Sequence, residues 1–188
     1  MPTLPASAYV VLGLLDQSGP ATPYALDREI RQSVGYFWDF PRSQIYAEAA
    51  RLVRRGLVTE SREKTGRRRR TLALTQAGRD TLAAWLTAPT ERTTDVRDEG
   101  LLRLYFQEDE ASGADRVRRL AEQQLDAHRR GLAEFEAILA TAPPRPRFGA
   151  PQVAVLAFGL RFEELAVEFW TEVAERGAEV LDPRPREG

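Results

Sequence analysis

Arg67, Arg68, Arg69 and Arg70 run without interruption after Gly66, with Lys64 just ahead of them. Guanidinium groups are permanently charged and planar, so such a run can hold phosphate oxygens or, singly, the edge of a guanine. Arg42, Ser43, Gln44 and Tyr46 form a second polar group, followed by Arg51, Arg54 and Arg55. Gln pairs bidentately with adenine and Arg with guanine, so this set has base-reading chemistry. Neither group contains a nucleophile beside a general base. His128 is the only histidine, it lies in a polar segment expected to face solvent, and there is no cysteine. Glu163, Glu164 and Glu168 can share a helix face, but without a histidine or cysteine nearby they read as surface charge rather than a metal site. Asp95, Asp98 and Glu99 suit helix capping. No glycine-rich phosphate cradle is present, and the expectation is a protein that is not an enzyme and carries no cofactor.

The 188 residues carry a net charge of −1, which conceals an asymmetry: 13 Lys+Arg against 8 Asp+Glu in residues 1 to 80, then 14 against 20 in the rest. A basic half suits a polyanion and an acidic half is repelled by one. The apolar runs Ala8 to Leu15 and Val153 to Leu160 are far shorter than the roughly 18 residues a membrane span needs. No charged leader precedes the first run, so a cytoplasmic protein without a membrane partner is expected.

The elements that must position the arginines are legible in order. Ala6 to Asp16 is apolar on nearly every side and reads as a buried helix stopped at Gly19 and Pro20. Thr22 and Pro23 open a second helix, with Leu26, Ile30 and Val34 as its stripe and Gly35 as its end. The segment "YFWDFP" then makes an aromatic connector, read as a hydrophobic plug. A third helix is expected from Arg42 to Arg55, burying Ile45, Ala49, Leu52 and Val53 before Gly56. "LVTESRE" and "RRRTLALT" alternate with period two around "KTGR", a hairpin whose turn and second strand hold the arginines. Side chains alternate along a strand, so about half of the four can face one partner; Arg67 and Arg69 are preferred over Arg68 and Arg70. Thr75 caps a fourth helix with Leu82, Trp85 and Leu86 as its apolar patch. The expected fold is mainly α: a winged helix-turn-helix with a two-stranded wing over 1–88, a linker over 89–97, and a long-helix domain over 98–188. In that second domain a short helix (Glu99 to Phe106) precedes long ones near Ser112 to Ala140 and Gln152 to Glu179. Their apolar stripes are too broad to cover each other, so a twofold homodimer is expected to bury them.

The blocks "VLGLLDQSGPATPYAL", "VGYFWDFPRSQIYAEAARLVRRGLV", "LALTQAGRDTLAAWL", "DVRDEGLLRLYF" and "LRFEELAVEFW" resemble, in order and spacing, the PadR family of transcriptional regulators with a helical C-terminal half. The likeness covers most of the chain. Departures are Pro23, where many members have Gly, the Ala47-Glu48-Ala49 stretch, where many have Pro-x-Leu, and Leu72, near which the wing often has an aromatic. The resemblance implies a homodimeric repressor on double-stranded DNA at a pseudo-palindrome. Thr22, Tyr24, Arg42, Ser43, Gln44, Tyr46 and Arg51 would meet DNA from the helices, and Lys64 with Arg67 to Arg70 from the wing. It also implies release by a small hydrophobic or aromatic compound, for which Tyr105, Phe162, Phe169 and Trp170 are the lining candidates; plain core packing is their competing role. A winged-helix module serving a protein partner, with the arginines on an acidic surface, is the alternative reading, because fold alone does not decide function.

Overall fold

The computed structural model describes residues 4–38, 41–62, 70–90, 96–107, 111–141 and 149–177. Backbone contacts divide the chain into two compact units, Met1–Arg92 and Thr93–Gly188.

In the first unit, α1 (Ala6–Ser18) is buried on several sides at once: Ala8, Val11, Leu12 and Leu15 are enclosed and Tyr9 is nearly so. A helix without a polar face must be surrounded. It is, by α2 (Pro23–Arg31), α3 (Arg42–Arg54), a hairpin strand and α4 (Gln76–Thr87). The indole of Trp85 on α4 stacks on Tyr9 at 4.5 Å, with the rings 9° from parallel. Helix α2 begins as its sequence dictates, with Thr22 Oγ1 accepting from the Ala25 amide at 3.1 Å. Its end differs from expectation. The helix stops at Arg31, and Val34–Tyr36 form a separate 3-10 turn. Gly35 therefore belongs to that turn rather than ending the helix: a Cβ there would lie 2.8 Å from the carbonyl oxygen of Ile30.

Helix α3 buries Ile45, Ala49 and Leu52 and leaves Val53 partly exposed. Gly56, at φ +70°, reverses the chain into β1 (Val58–Arg62), which pairs antiparallel with β2 (Arg70–Leu74). The register sets Val58 opposite Leu74, Glu60 opposite Leu72 and Arg62 opposite Arg70. The hairpin is fastened to the entrance of α2 by two backbone bonds, Leu72 N to Ala21 O at 2.8 Å and Ala21 N to Leu72 O at 3.0 Å. Thr75 caps α4 by accepting from Gly78 N at 3.0 Å while donating to Gly56 O at 2.8 Å. These elements make the winged helix-turn-helix anticipated above.

The second unit contains α5 (Glu99–Tyr105), α6 (Ala111–Thr141) and α7 (Ala150–Arg176). Asp98 caps α5 by accepting from Leu101 N at 2.9 Å. Val117, Leu120, Ala121 and Leu125 of α6 share a core with Trp170 and Val173 of α7. Nearer the other end, Gly131 faces Glu163 and Gly159 faces Phe135, so the two helices run antiparallel. Gly131 admits the Glu163 side chain: an added Cβ would sit 3.0 Å from its carboxyl carbon. Much of α7 stays uncovered, including Val155, Phe158 and Leu165. No helix among the described residues is long and apolar enough to cross a membrane, and none of their acids and histidines form a metal-sized cluster.

Two glycines separate packing from helix propensity. A Cβ at Gly78 would lie 2.2 Å from the backbone oxygen of Leu57, so Gly78→Ala is expected to destabilise by about 1–3 kcal/mol through overpacking. Gly13, with nothing within 4 Å of its Cβ position, should gain about 0.5–1 kcal/mol as Ala. Thermal and urea unfolding of both variants check the opposite signs.

Candidate nucleic-acid interface

Ile45, Ala49 and Leu52 face inward, and the 3.6-residue period turns Ser43 and Tyr46 away from them; Arg42, one turn before Ile45 and so towards the same side, is exposed at the first position of the helix. Gln44 is half-buried, and its backbone N–H donates to Pro41 O at 2.9 Å. The helix starts at Pro41 without a side-chain cap and with no acid in its first turn. Apart from that of Gln44, its leading N–H groups and the positive end of its dipole are thus left for an external acceptor. Tyr24 on α2 is 63% exposed, and Thr22 is held in its capping role beside it.

Buried acids stand behind the arginines of this surface. Asp27, 7% exposed, lies 3.4 Å from Nε of Arg31 and 3.6 Å from Nε of Arg42. Glu48, 3% exposed, accepts a 2.9 Å bond from Ser7 Oγ through Oε1, and Nη1 of Arg51 approaches the same oxygen at 3.6 Å. Oε2 of Glu48 has no partner among the described residues. The sequence reading placed Arg42 and Arg51 at the surface but missed both acids. Asp27 sits one turn before Arg31, a spacing that signals an ion pair, yet nothing local points it across to Arg42.

On the wing, Val58, Glu60 and Arg62 share a sheet face with Leu74, Leu72 and Arg70, the face whose Val58 and Leu72 are buried. Arg70 accordingly turns to the protein side, with Nε 2.6 Å from Oε2 of Glu60; its N–H is not aligned for a hydrogen bond, so the contact is ionic. Arg62 donates to the other oxygen at 2.9 Å. The Arg62 hydrogen bond, assisted by the charge of Arg70, holds the Glu60 carboxyl below the usual glutamate range against the opposing effect of burial. Lys64, Arg67, Arg68 and Arg69 lie outside the described residues, as does the choice between Arg67 and Arg69.

Three expectations need correction. The connector between α2 and α3 is not a plug, since Tyr36, Phe37 and Trp38 are all exposed; the 3-10 turn, pinned by Trp38 N to Val34 O at 2.9 Å, carries them outward. Asp39 and Phe40 of the same segment lie outside the described residues. His128 does not face solvent: its Nδ1 is 2.7 Å from Oε2 of Glu163 across the α6–α7 interface, with both side chains largely covered. The proposed effector residues do not converge on one cavity. Trp170 is 1% exposed in the α6–α7 core, edge-to-face with Phe169 at 5.0 Å, while Phe162 is exposed and Tyr105 is 80% exposed. Immediately after Tyr105, Phe106 helps line a cavity of about 540 Å³ with Leu102, Leu120, Arg103, Arg116 and Arg119, which contains none of the four.

Residues 11–84 match the family described as "Transcriptional regulator PadR-like family", and residues 96–176 match "Virulence activator alpha C-term". The negative transcriptional regulator PadR of Bacillus subtilis is 29% identical over 155 residues, spanning 75% of this chain and 81% of that protein. The crystal structure of Bacillus subtilis PadR in complex with operator DNA superposes with a TM-score of 0.78 at 24% identity, covering 90% of this chain and 98% of that one. The same protein in complex with p-coumaric acid gives 0.72 at 24% identity, covering 90% and 97%. The Vibrio cholerae virulence activator AphA gives 0.65 at 27% identity, covering 89% and 95%.

The wing carries a pH dependence of known sign. An unfolded glutamate titrates near 4.3, and Glu60 in the folded chain titrates lower. Its contribution is therefore complete above about pH 4.3 and is lost as the pH falls through the folded value. Thermal melts from pH 7 to pH 3 should show wild type more stable than Glu60→Gln at neutral pH, with the gap closing on acidification.

Proposed function

We propose that this chain is a PadR-like transcriptional regulator, a repressor that binds a pseudo-palindromic operator as a homodimer, on the match of residues 11–84 to that family and the likeness to the Bacillus subtilis regulator. The observation that carries the reading is the exposed ridge of Arg42, Ser43 and Tyr46 at the uncapped start of α3, on a helix whose opposite side is locked into the core. A helix of this size fits the major groove, and its first turn reaches base edges. Arg42 and Gln44 read bases, each worth about 1–3 kcal/mol of discrimination. Thr22, Tyr24, Ser43, Tyr46 and Arg51 fix the register on sugar and phosphate. Lys64 and Arg67 to Arg69 follow the adjacent backbone or the minor groove, and Arg70 supports the wing through Glu60. The Bacillus subtilis relative is a negative regulator and has been crystallised on operator DNA, which favours repression here.

Homodimer formation is supported by the apolar side chains left uncovered on α7, which a second copy would bury. The effector reading draws on the relative's complex with p-coumaric acid and on the cavity between α5 and α6, whose apolar walls and arginines suit an organic anion. Such a ligand releases DNA only by favouring a dimer geometry that misplaces the recognition helices.

Fluorescence anisotropy against duplexes selected from a random pool, with scrambled duplex as competitor, tests the reading. Gln44→Ala should reduce the operator-to-scrambled ratio about 5- to 100-fold. Arg67→Ala with Arg69→Ala should weaken both duplexes and lower the log–log salt slope by about 0.9 for each phosphate no longer neutralised. An unaltered slope removes the wing from the interface, and absence of any preferred sequence in the wild type favours a protein-binding module. In sedimentation, Phe158→Glu with Leu165→Glu should run as a 21.1 kDa monomer with operator affinity reduced about 100-fold, the loss expected when two half-sites are no longer linked.

A further inference from the structure

We propose that Asp27 is a positioning residue for sequence reading: from its buried seat on α2 it anchors Arg42 by Nε and directs the terminal guanidinium nitrogens outward. The proposal rests on the reading of α3 as the recognition helix. Asp27 lies between Leu26 and Ile30 in sequence, both buried, so its carboxylate is carried by a side of α2 that cannot turn away from the protein. A carboxylate so covered requires cationic partners. Arg31, one turn along the same helix, is one of them. The other is the first residue of α3, contributed by a different element. Arg42 is 54% exposed at its side chain, its approach to the acid is through Nε, and its guanidinium makes no hydrogen bond among the described residues. The two nitrogens best placed to take O6 and N7 of a guanine are thus free, while the third faces the acid. At 3.6 Å the contact is a charge attraction rather than a hydrogen bond, so it restrains direction without closing off the guanidinium.

The sign of the electrostatics separates this role from a general contribution to affinity. A fixed negative charge close to a polyanion opposes binding. Removing it should therefore leave affinity for arbitrary DNA unchanged or higher, even as the aim of Arg42 is lost. A residue needed only for folding would lower binding to every duplex together and lower the melting temperature with it.

The test uses the full-length protein and the duplex that wild type selects from a random pool. Asp27→Asn is expected to reduce the operator-to-scrambled ratio about tenfold, to abolish preference at one base pair in each half-site, and to bind scrambled duplex at least as well as wild type. Arg42→Ala should erase preference at the same base pair, and Asp27→Asn added to it should cause no further loss of the ratio. Should Asp27→Asn not fold, Asp27→Glu, which keeps the charge but displaces the carboxylate by one methylene, carries the same test: preference at the base pair that Arg42→Ala erases should fall while the salt slope stays. Retention of wild-type preference at every base pair by the variant tested overturns the proposal, as does an equal loss on both duplexes. A wild type that selects no sequence overturns the recognition-helix reading itself, whereas an indifferent Asp27→Asn beside a selective wild type overturns only the role of Asp27.

Discussion

Burial of Ile45, Ala49 and Leu52 against the surrounding helices determines what the opposite side of α3 presents. Each of the two larger aliphatic side chains is worth about 1.5–3 kcal/mol when fully enclosed. Rotating α3 by one residue, about 100°, would expose them together and bring Tyr46 or Arg42 inside, a change no local gain offsets. Helix α1 makes that constraint firm because it has no polar face of its own. Enclosed by three helices and a strand, it cannot shift to accommodate its neighbours, so apolar packing, with the buried Ser7–Glu48 hydrogen bond, holds α3 in one orientation.

Electrostatics then refines what packing has placed. The basic half of the chain contains 8 Asp+Glu, and Asp27, Glu48 and Glu60 each hold one or two arginines. Formal charge therefore overstates the freely available cations of this unit. Arg70 shows the difference: it belongs to the four-arginine run, yet the strand pleat turns it onto the protein side with Glu60. Arginine clusters with nearby buried acids are arranged surfaces, and their directional content exceeds their net charge.

In the second unit α6 and α7 bury one seam and leave another. Trp170 fills the seam near one end, where small and branched residues of α6 close around it. Toward the other end Gly131 makes room for Glu163, and His128 meets that carboxylate across the pair. A polar contact within an otherwise apolar seam disfavours sliding by a turn, because a shifted register leaves both groups unpaired. The large apolar residues left outside the seam define the surface that a second copy of the chain would complete.

Local chemistry made much of this legible. Thr22–Pro23 and Thr75 announced helix starts, Gly56 a reversal, the alternation around Leu72 a wing, and the apolar spacing of Ile45, Ala49 and Leu52 the inward side of α3; each depends on residues within a turn or two of one another. Where signals competed, tertiary contacts decided. Helix α2 stopped at Arg31 although its apolar spacing continued to Val34, because the chain tightened over the carbonyl of Ile30. Tyr36, Phe37 and Trp38 of the connector remained outside the core, His128 went under cover, and Tyr105 and Trp170 separated to opposite extremes of exposure. By itself the sequence determined which segments form helices and strands and which stripe each must bury, since propensity, capping and periodicity act over a few residues. Only the tertiary structure decided which polar groups meet, Asp27 with Arg42, Ser7 with Glu48, His128 with Glu163, because those pairs join elements far apart in the chain and exist only once the apolar surfaces between them have packed.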